Sequence, residues 1–148
     1  MKDDILALMF TQRMDTFAKE ESAEGKWEPL SKRHSAKRLA KVPKEKREPG
    51  AVKILQDKGF LRGSFTIPNG PMQEMSKSGE EVRLATHIPY AAIHNFGGTI
   101  QHPGTRNGFG RGVLIKPHSI TIPARPFDQF REKDLTEMNE LMEKYINE

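Results

Sequence analysis

Residues 89–98 read Pro-Tyr-Ala-Ala-Ile-His-Asn-Phe-Gly-Gly. Proline is tolerated in the first turn of a helix, where its missing N–H is not needed, and glycine ends helices by taking positive φ. The stretch predicts a short helix from Tyr90 to Phe96, closed by Gly97 and Gly98. Tyr90, Ile93 and Phe96 fall roughly on one side of it. His94 reads as a hydrogen-bonded residue beside Tyr90 and the glycine turn. On physics alone this is a packing element, and nothing in it names a reaction.

Working outward, residues 80–88 alternate, with Val82, Leu84 and Ile88 among polar residues, and predict a strand. Before them, Pro68-Asn69-Gly70-Pro71 is a turn. Leu55, Phe60, Leu61, Phe65 and Ile67 are read as the start of the β part, with Gly59 and Gly63 interrupting any helix. On the other side, residues 97–112 form a glycine-rich loop holding a short strand at 99–101. Residues 113–122 alternate through Val113, Ile115, Ile120 and Ile122, and Pro117 implies an edge position or a break. Residues 122–127 read Ile-Pro-Ala-Arg-Pro-Phe. Pro123 and Pro126 stiffen this corner, Phe127 can anchor in a core, and Arg125 is held ready for a carboxylate or a carbonyl terminus.

The ends are helical. Ile5, Leu6, Met9, Phe10, Met14, Phe17 and Ala18 make one stripe over residues 3–22. Phe127, Phe130, Leu135, Met138, Leu141, Met142 and Tyr145 make another over about residues 126–146, with an acidic opposite face. Between them Ser31 caps a basic helix at about 32–41, which Val42-Pro43 ends. Residues 43–50 are a mobile basic connection with almost no apolar content. The fold class is α+β: an antiparallel sheet, long terminal helices packed on it, and a short helix between strands. Residues 1–148 are read as a single domain.

The net charge of +4 conceals an asymmetry. Residues 1–25 and 128–148 are acidic, with net charges of −3 and −4, while residues 26–58 carry +7. Residues 82–127 hold five basic and no acidic side chains. Such a split serves subunit-to-subunit complementarity or contact with a polyanion. The same acid-free stretch leaves no paired carboxylates for acid–base work or for magnesium. There is no cysteine for nucleophilic catalysis, a disulfide or a thiolate metal site. His118 and Ser119 are neighbours whose side chains face opposite ways on a strand. His34, His87, His94, His102 and His118 show no ligand-pair spacing. The glycine loop lacks the Gly-Lys-Ser/Thr ending of a phosphate-binding loop. No catalytic residue, metal site or cofactor is expected. No apolar run reaches the ~18 residues that cross a bilayer, and no signal-peptide layout opens the chain.

Four blocks, taken together, resemble the phage virion morphogenesis family. That family includes tail-completion proteins of contractile-tailed phages and the G protein of Mu-like phages. Trp27-Glu28-Pro29-Leu30 is similar to its Trp-x-Pro-Leu. Residues 55–64 are similar to its Leu-x-Asp-x-Gly-x-Leu-x-x-Ser block, centred here on Leu61. Residues 89–98 and 122–127 are similar to its Pro-Tyr-Ala-x-Ile-His-x-Phe-Gly-Gly and Ile-Pro-Ala-Arg-Pro-Phe blocks. Lys58, Phe60 and Asp128 depart from the usual pattern. The resemblance implies a structural role in tail completion or head–tail joining, in the virion tail or neck, after assembly in the bacterial host cytoplasm. It implies a homo-oligomer, a six-fold ring, contacting other neck or tail proteins. Arg106 and Arg111 lie on a loop tip that could then insert into a neighbouring ring. The rival reading is a small nucleic-acid-binding protein contacting DNA phosphates through residues 32–47, with Lys32, Arg33, Lys37, Arg38 and Lys41 as its cations.

Overall fold

The computed structural model describes residues 1–108 and 113–147, without the side chains of residues 106–108 and 113. Arg111 and the Arg106 side chain therefore lie outside the described residues.

The chain opens with helix α1, Lys2–Lys19. Asp3 and Asp4 in its first turn and Lys19 in its last complement the helix dipole. Its buried side includes Leu6, Phe10 and Phe17. Glu20 takes a left-handed conformation (φ 55°) and stops the helix. A hairpin of two-residue strands follows, β1 (Glu21–Ser22) against β2 (Gly25–Lys26). Helix α2, Lys32–Leu39, starts where the Ser31 hydroxyl accepts from the His34 N–H at 3.3 Å, the expected cap. It buries no side chain. A single 3-10 turn at Lys44–Lys46 lies within the exposed basic connection.

Helix α3, Phe60–Thr66, stands where the sequence predicted the first strand. Gly59 at φ 76° leads into the helix rather than breaking it. Leu61 and Phe65, four residues apart, bury the same face. Gly63 fits because the turn at 68–71 folds back onto it: a Cβ there would sit 3.3 Å from Pro71, and one on Gly70 only 2.2 Å from the Gly63 carbonyl oxygen.

The strands form antiparallel pairs, and the described pairing is divided among four two-stranded ladders. Strand β3 (Gln73–Ser76) pairs with β4 (Arg83–Thr86). Helix α4, Ala91–Phe96, follows as expected. The chain then runs out through β5 (Gly98–His102) and β6 (Thr105–Gly108) and returns through β7 (Val113–Ile115) and β8 (His118–Ile122). Strand β5 pairs with β8 and β6 with β7. The strand predicted over 113–122 is thus split. Pro117 on one side and Pro103 on the other donate no ladder hydrogen bond, so the ribbon breaks into two ladders there. Thr99, Ile100, Gln101, Ser119, Ile120 and Thr121 are all exposed, so neither face of the β5–β8 ladder is covered.

Helix α5, Glu132–Ile146, begins later than its apolar stripe suggests. The Asp134 carboxylate accepts the Arg131 N–H while the Asp134 N–H donates to the Arg131 carbonyl, and Phe127 and Phe130 lie in the non-helical approach. It runs antiparallel to α1, with Tyr145 bonded to Asp4 and Gln12 to the Asp134 carbonyl.

The core is one cluster: Phe17, Trp27, Ile54, Leu61, Phe65, Ile88, Ala91 and Phe127. Phe127 is its hub, stacked on Phe17 at 5.8 Å and tilted against Phe65 at 5.3 Å. Phe17 meets Trp27 edge-on at 5.6 Å.

Candidate interaction groove

The four sequence blocks lie far apart in the chain and converge in space. Trp27 donates from its indole Nε1 to the Pro126 carbonyl at 2.9 Å. Arg125 donates from its backbone N–H to the His94 carbonyl, and from Nε and Nη2 to the carbonyls of Glu28 (2.9 Å) and Pro29 (3.4 Å). Asn95 accepts the Phe127 N–H on its Oδ1 at 2.9 Å. Each proline of the corner removes a donor, and the remaining N–H groups of Arg125 and Phe127 are the two spoken for.

Gly97 is demanded by this closeness. Gly97 has φ 70°, and a Cβ on it would stand 2.7 Å from the Ala124 nitrogen. A Cβ on Gly98 would stand 2.7 Å from Ile93 Cδ1. Residues 122–127 therefore press against the end of α4 at backbone distance.

The remaining block residues divide by depth. Trp27, Leu61, Arg125 and Phe127 are buried, Ile93, His94, Pro123 and Pro126 half-buried. Phe96, expected to pack with Tyr90 and Ile93, is 75% exposed within the single chain, and Tyr90 is 44% exposed.

Together the blocks wall a groove of about 790 Å³. Leu30, Leu55, Phe60, Leu61 and Ile120 line it with apolar surface. Helix α2 forms one bank with Ser31, His34 and Arg38, and β8 with Pro123 the other. Tyr90 and His94 close one side, with the two rings edge-on at 6.0 Å.

The groove's electrostatics are unusual for the position of one cation. Arg125 is satisfied by carbonyls, which carry no formal charge, so its positive charge is left without a contacting carboxylate. Burial lowers its pKa, and the Glu28 charge partly offsets this. Burial and the Arg125 charge both lower the pKa of His94. The His94 ring therefore stays neutral near neutral pH, and among the described residues its Nδ1 finds no hydrogen-bond partner. On α2, Arg38 reaches the Lys53 carbonyl at 2.8 Å and Asp57 at 3.2 Å. Lys32, Arg33, Lys37 and Lys41 are exposed. Among the described residues no three His, Asp or Glu side chains gather as metal ligands would. No helix there is long and apolar enough to cross a membrane.

A second polar site escaped the sequence reading. Arg131, buried at the start of α5, contacts Asp134 (2.9 Å), Asp15 (2.9 Å) and Glu21 (3.4 Å). Burial raises the Asp15 pKa, but hydrogen bonds from Lys19, Lys133 and Arg131 overcome this and hold it well below the usual carboxylate value. Arg13 donates to the carbonyls of Gln129 and Asp128 and lies 4.2 Å over the Phe130 ring. Burial pulls its pKa down to about 10. The only sequence signal for this clasp was two arginines amid the acidic ends.

The sequence profile of the phage virion morphogenesis family matches residues 5–147. The chain belongs to the phage virion morphogenesis family. The match takes in the groove, the glycine turn, the arginine corner and both terminal helices. No curated protein and no solved structure matches the chain. Membership of the phage virion morphogenesis family makes the chain a phage-related protein with a role in virion assembly. The blocks that suggested the family are the segments that hold each other here.

Proposed function

We propose that this protein is a non-enzymatic structural subunit of tail completion or head–tail joining, working as a ring of identical copies at the tail top or neck. One observation carries the reading: the family blocks are spent on holding a rigid wall, and the apolar surface beside that wall is left uncovered. Phe60, Phe96, Ile120, Leu135 and Ile146 are each more than two-fifths exposed. Two of these, Phe60 and Ile120, share the groove, and apolar surface left open on a rigid wall suits a protein interface. The ring is six-fold by resemblance to tail-completion proteins. Omitting the protein during assembly tests the role. Negative-stain images should then show full heads and separate, unjoined tails. Joined, infectious particles made without it would overturn the proposal.

A second reading is favoured by α2, an eight-residue helix that buries nothing and exposes Lys32, Arg33 and Lys37, with Lys41 exposed just beyond its end. These cations suit DNA phosphates passing through a neck. Affinity for duplex DNA should then fall steeply with salt, and Lys37→Glu should weaken it. Salt-independent affinity, or affinity unchanged in Lys37→Glu, would remove this reading.

A further inference from the structure

Helix α5 is covered on one side only. Met138, Leu141 and Tyr145 are half-buried, whereas Leu135, Met142 and Ile146 are 48%, 39% and 79% exposed. At 3.6 residues per turn those last three project within about 40° of one another. They form a second apolar stripe, bordered along one edge by the exposed Glu132 and Glu143. The groove is unfinished in the complementary sense. Its floor is apolar, with Phe60 52% exposed, and cations outnumber carboxylates around it: Arg38, Lys58 and Arg125 against Glu28 and Asp57, the latter already paired with Arg38. Arg125 has only carbonyls for partners, Lys58 is exposed at the rim, and α2 carries its lysines and arginines alongside.

We infer that the groove of one copy receives helix α5 of a second copy, the acidic-edged stripe seating Leu135, Met142 and Ile146 on the groove floor. This rests on the self-assembly reading above and names its contact. Helix α5 of the same chain is held against α1 by Arg131 on Asp15, Gln12 on the Asp134 carbonyl and Tyr145 on Asp4, so it does not fill its own groove. The two surfaces differ, so the contact is head-to-tail, the kind that generates rings when its rotation closes. An amphipathic helix in an apolar groove with opposite charge at the edges is a recurrent recognition mode.

The chain has no cysteine, which makes the test clean. Lys58→Cys places a thiol at the groove rim and Met142→Cys one on the stripe, both at exposed positions. A short bis-maleimide should convert the double variant into a ladder of covalent multimers. Each single variant alone should stay monomeric on a denaturing gel, and an equimolar mixture of the two should stop at a covalent dimer. The reaction is run on purified protein and on particles assembled in the host, with sedimentation velocity in parallel. The pair Met142→Glu and Ile146→Glu should weaken self-association at least tenfold without lowering Tm. Multimers by sedimentation that give no 58–142 cross-link, or efficient covalent dimers from a single variant alone, would overturn the groove-and-helix contact and leave self-assembly standing. Monomers alone, in solution and in particles, would remove both.

Discussion

Gly97 combines two constraints that can be separated by mutation. Its φ of 70° is in the region that side chains avoid, and the space its Cβ would need is filled by the Ala124 backbone. Gly79 shares the first constraint, at φ 54°, but has open space around it. Gly97→Ala should therefore cost about 3 kcal/mol and Gly79→Ala only about 1, measured by chemical denaturation. Equal losses would mean that the close approach is not what demands glycine. His94 offers a pH test. Its pKa is lowered in the folded state from an ordinary value of 6.5, first by burial and then by Arg125. Below 6.5 the unfolded chain takes up a proton that the folded one resists, so stability falls as pH falls from there toward the lowered value. Tm should decline between about pH 7 and 5, and His94→Gln should flatten the decline. An unchanged slope in that variant would place the titrating group elsewhere.

At the scale of elements, the terminal helices are joined by charge as well as by apolar contact. Asp134 is 1% exposed and receives both the Arg131 guanidinium and its backbone N–H. Asp134→Ala would strip the cap from α5 and leave a buried cation short of its main partner. A loss of about 3 kcal/mol in denaturant unfolding is expected, and a loss under about 1 would show that Asp15 and Glu21 suffice for Arg131. Local pattern made α1, α2 and α4 legible: α1 by its apolar stripe, α2 by the Ser31 cap and the Pro43 stop, α4 by Pro89 and the double glycine that flank it. It failed for α3 because Gly59 and Gly63 look like helix breakers locally. One is a left-handed lead-in and the other a contact surface for Pro71, a fact that only the folded turn reveals. It misplaced the start of α5 because Phe127 and Phe130 continue the helical spacing while sitting in non-helical chain. The clasp of Arg131, Asp15 and Asp134 was hidden for a different reason: an arginine and an aspartate on a surface or in a core look alike in a sequence.

For the whole molecule, the charge asymmetry seen along the chain becomes an asymmetry between surfaces. Part of the acidic charge is consumed internally, since Asp15 answers Lys19, Arg131 and Lys133. The exposed glutamates beside the α5 stripe and Lys32, Arg33 and Lys37 of α2 face solvent and suit contacts with other molecules. Self-association driven by such surfaces should weaken as salt rises from about 0.1 to 1 M and the Debye length shrinks from about 10 to 3 Å. Association by sedimentation that strengthens with salt would point to apolar contact alone. The four blocks were legible as separate motifs, but the groove they enclose was not. Its walls come from residues 28–38, 55–61, 90–94 and 120–125, and nothing local announces that these meet.

Trp27 is the only tryptophan, 5% exposed, with its indole tied to a carbonyl 99 residues away in the chain. Its emission is consequently an optical gauge of the docked corner alone. A shift to longer wavelength will signal that the corner has come loose. Trp27 does not itself line the groove, so a second copy seating there with the corner still docked will move the spectrum far less than release of the corner does.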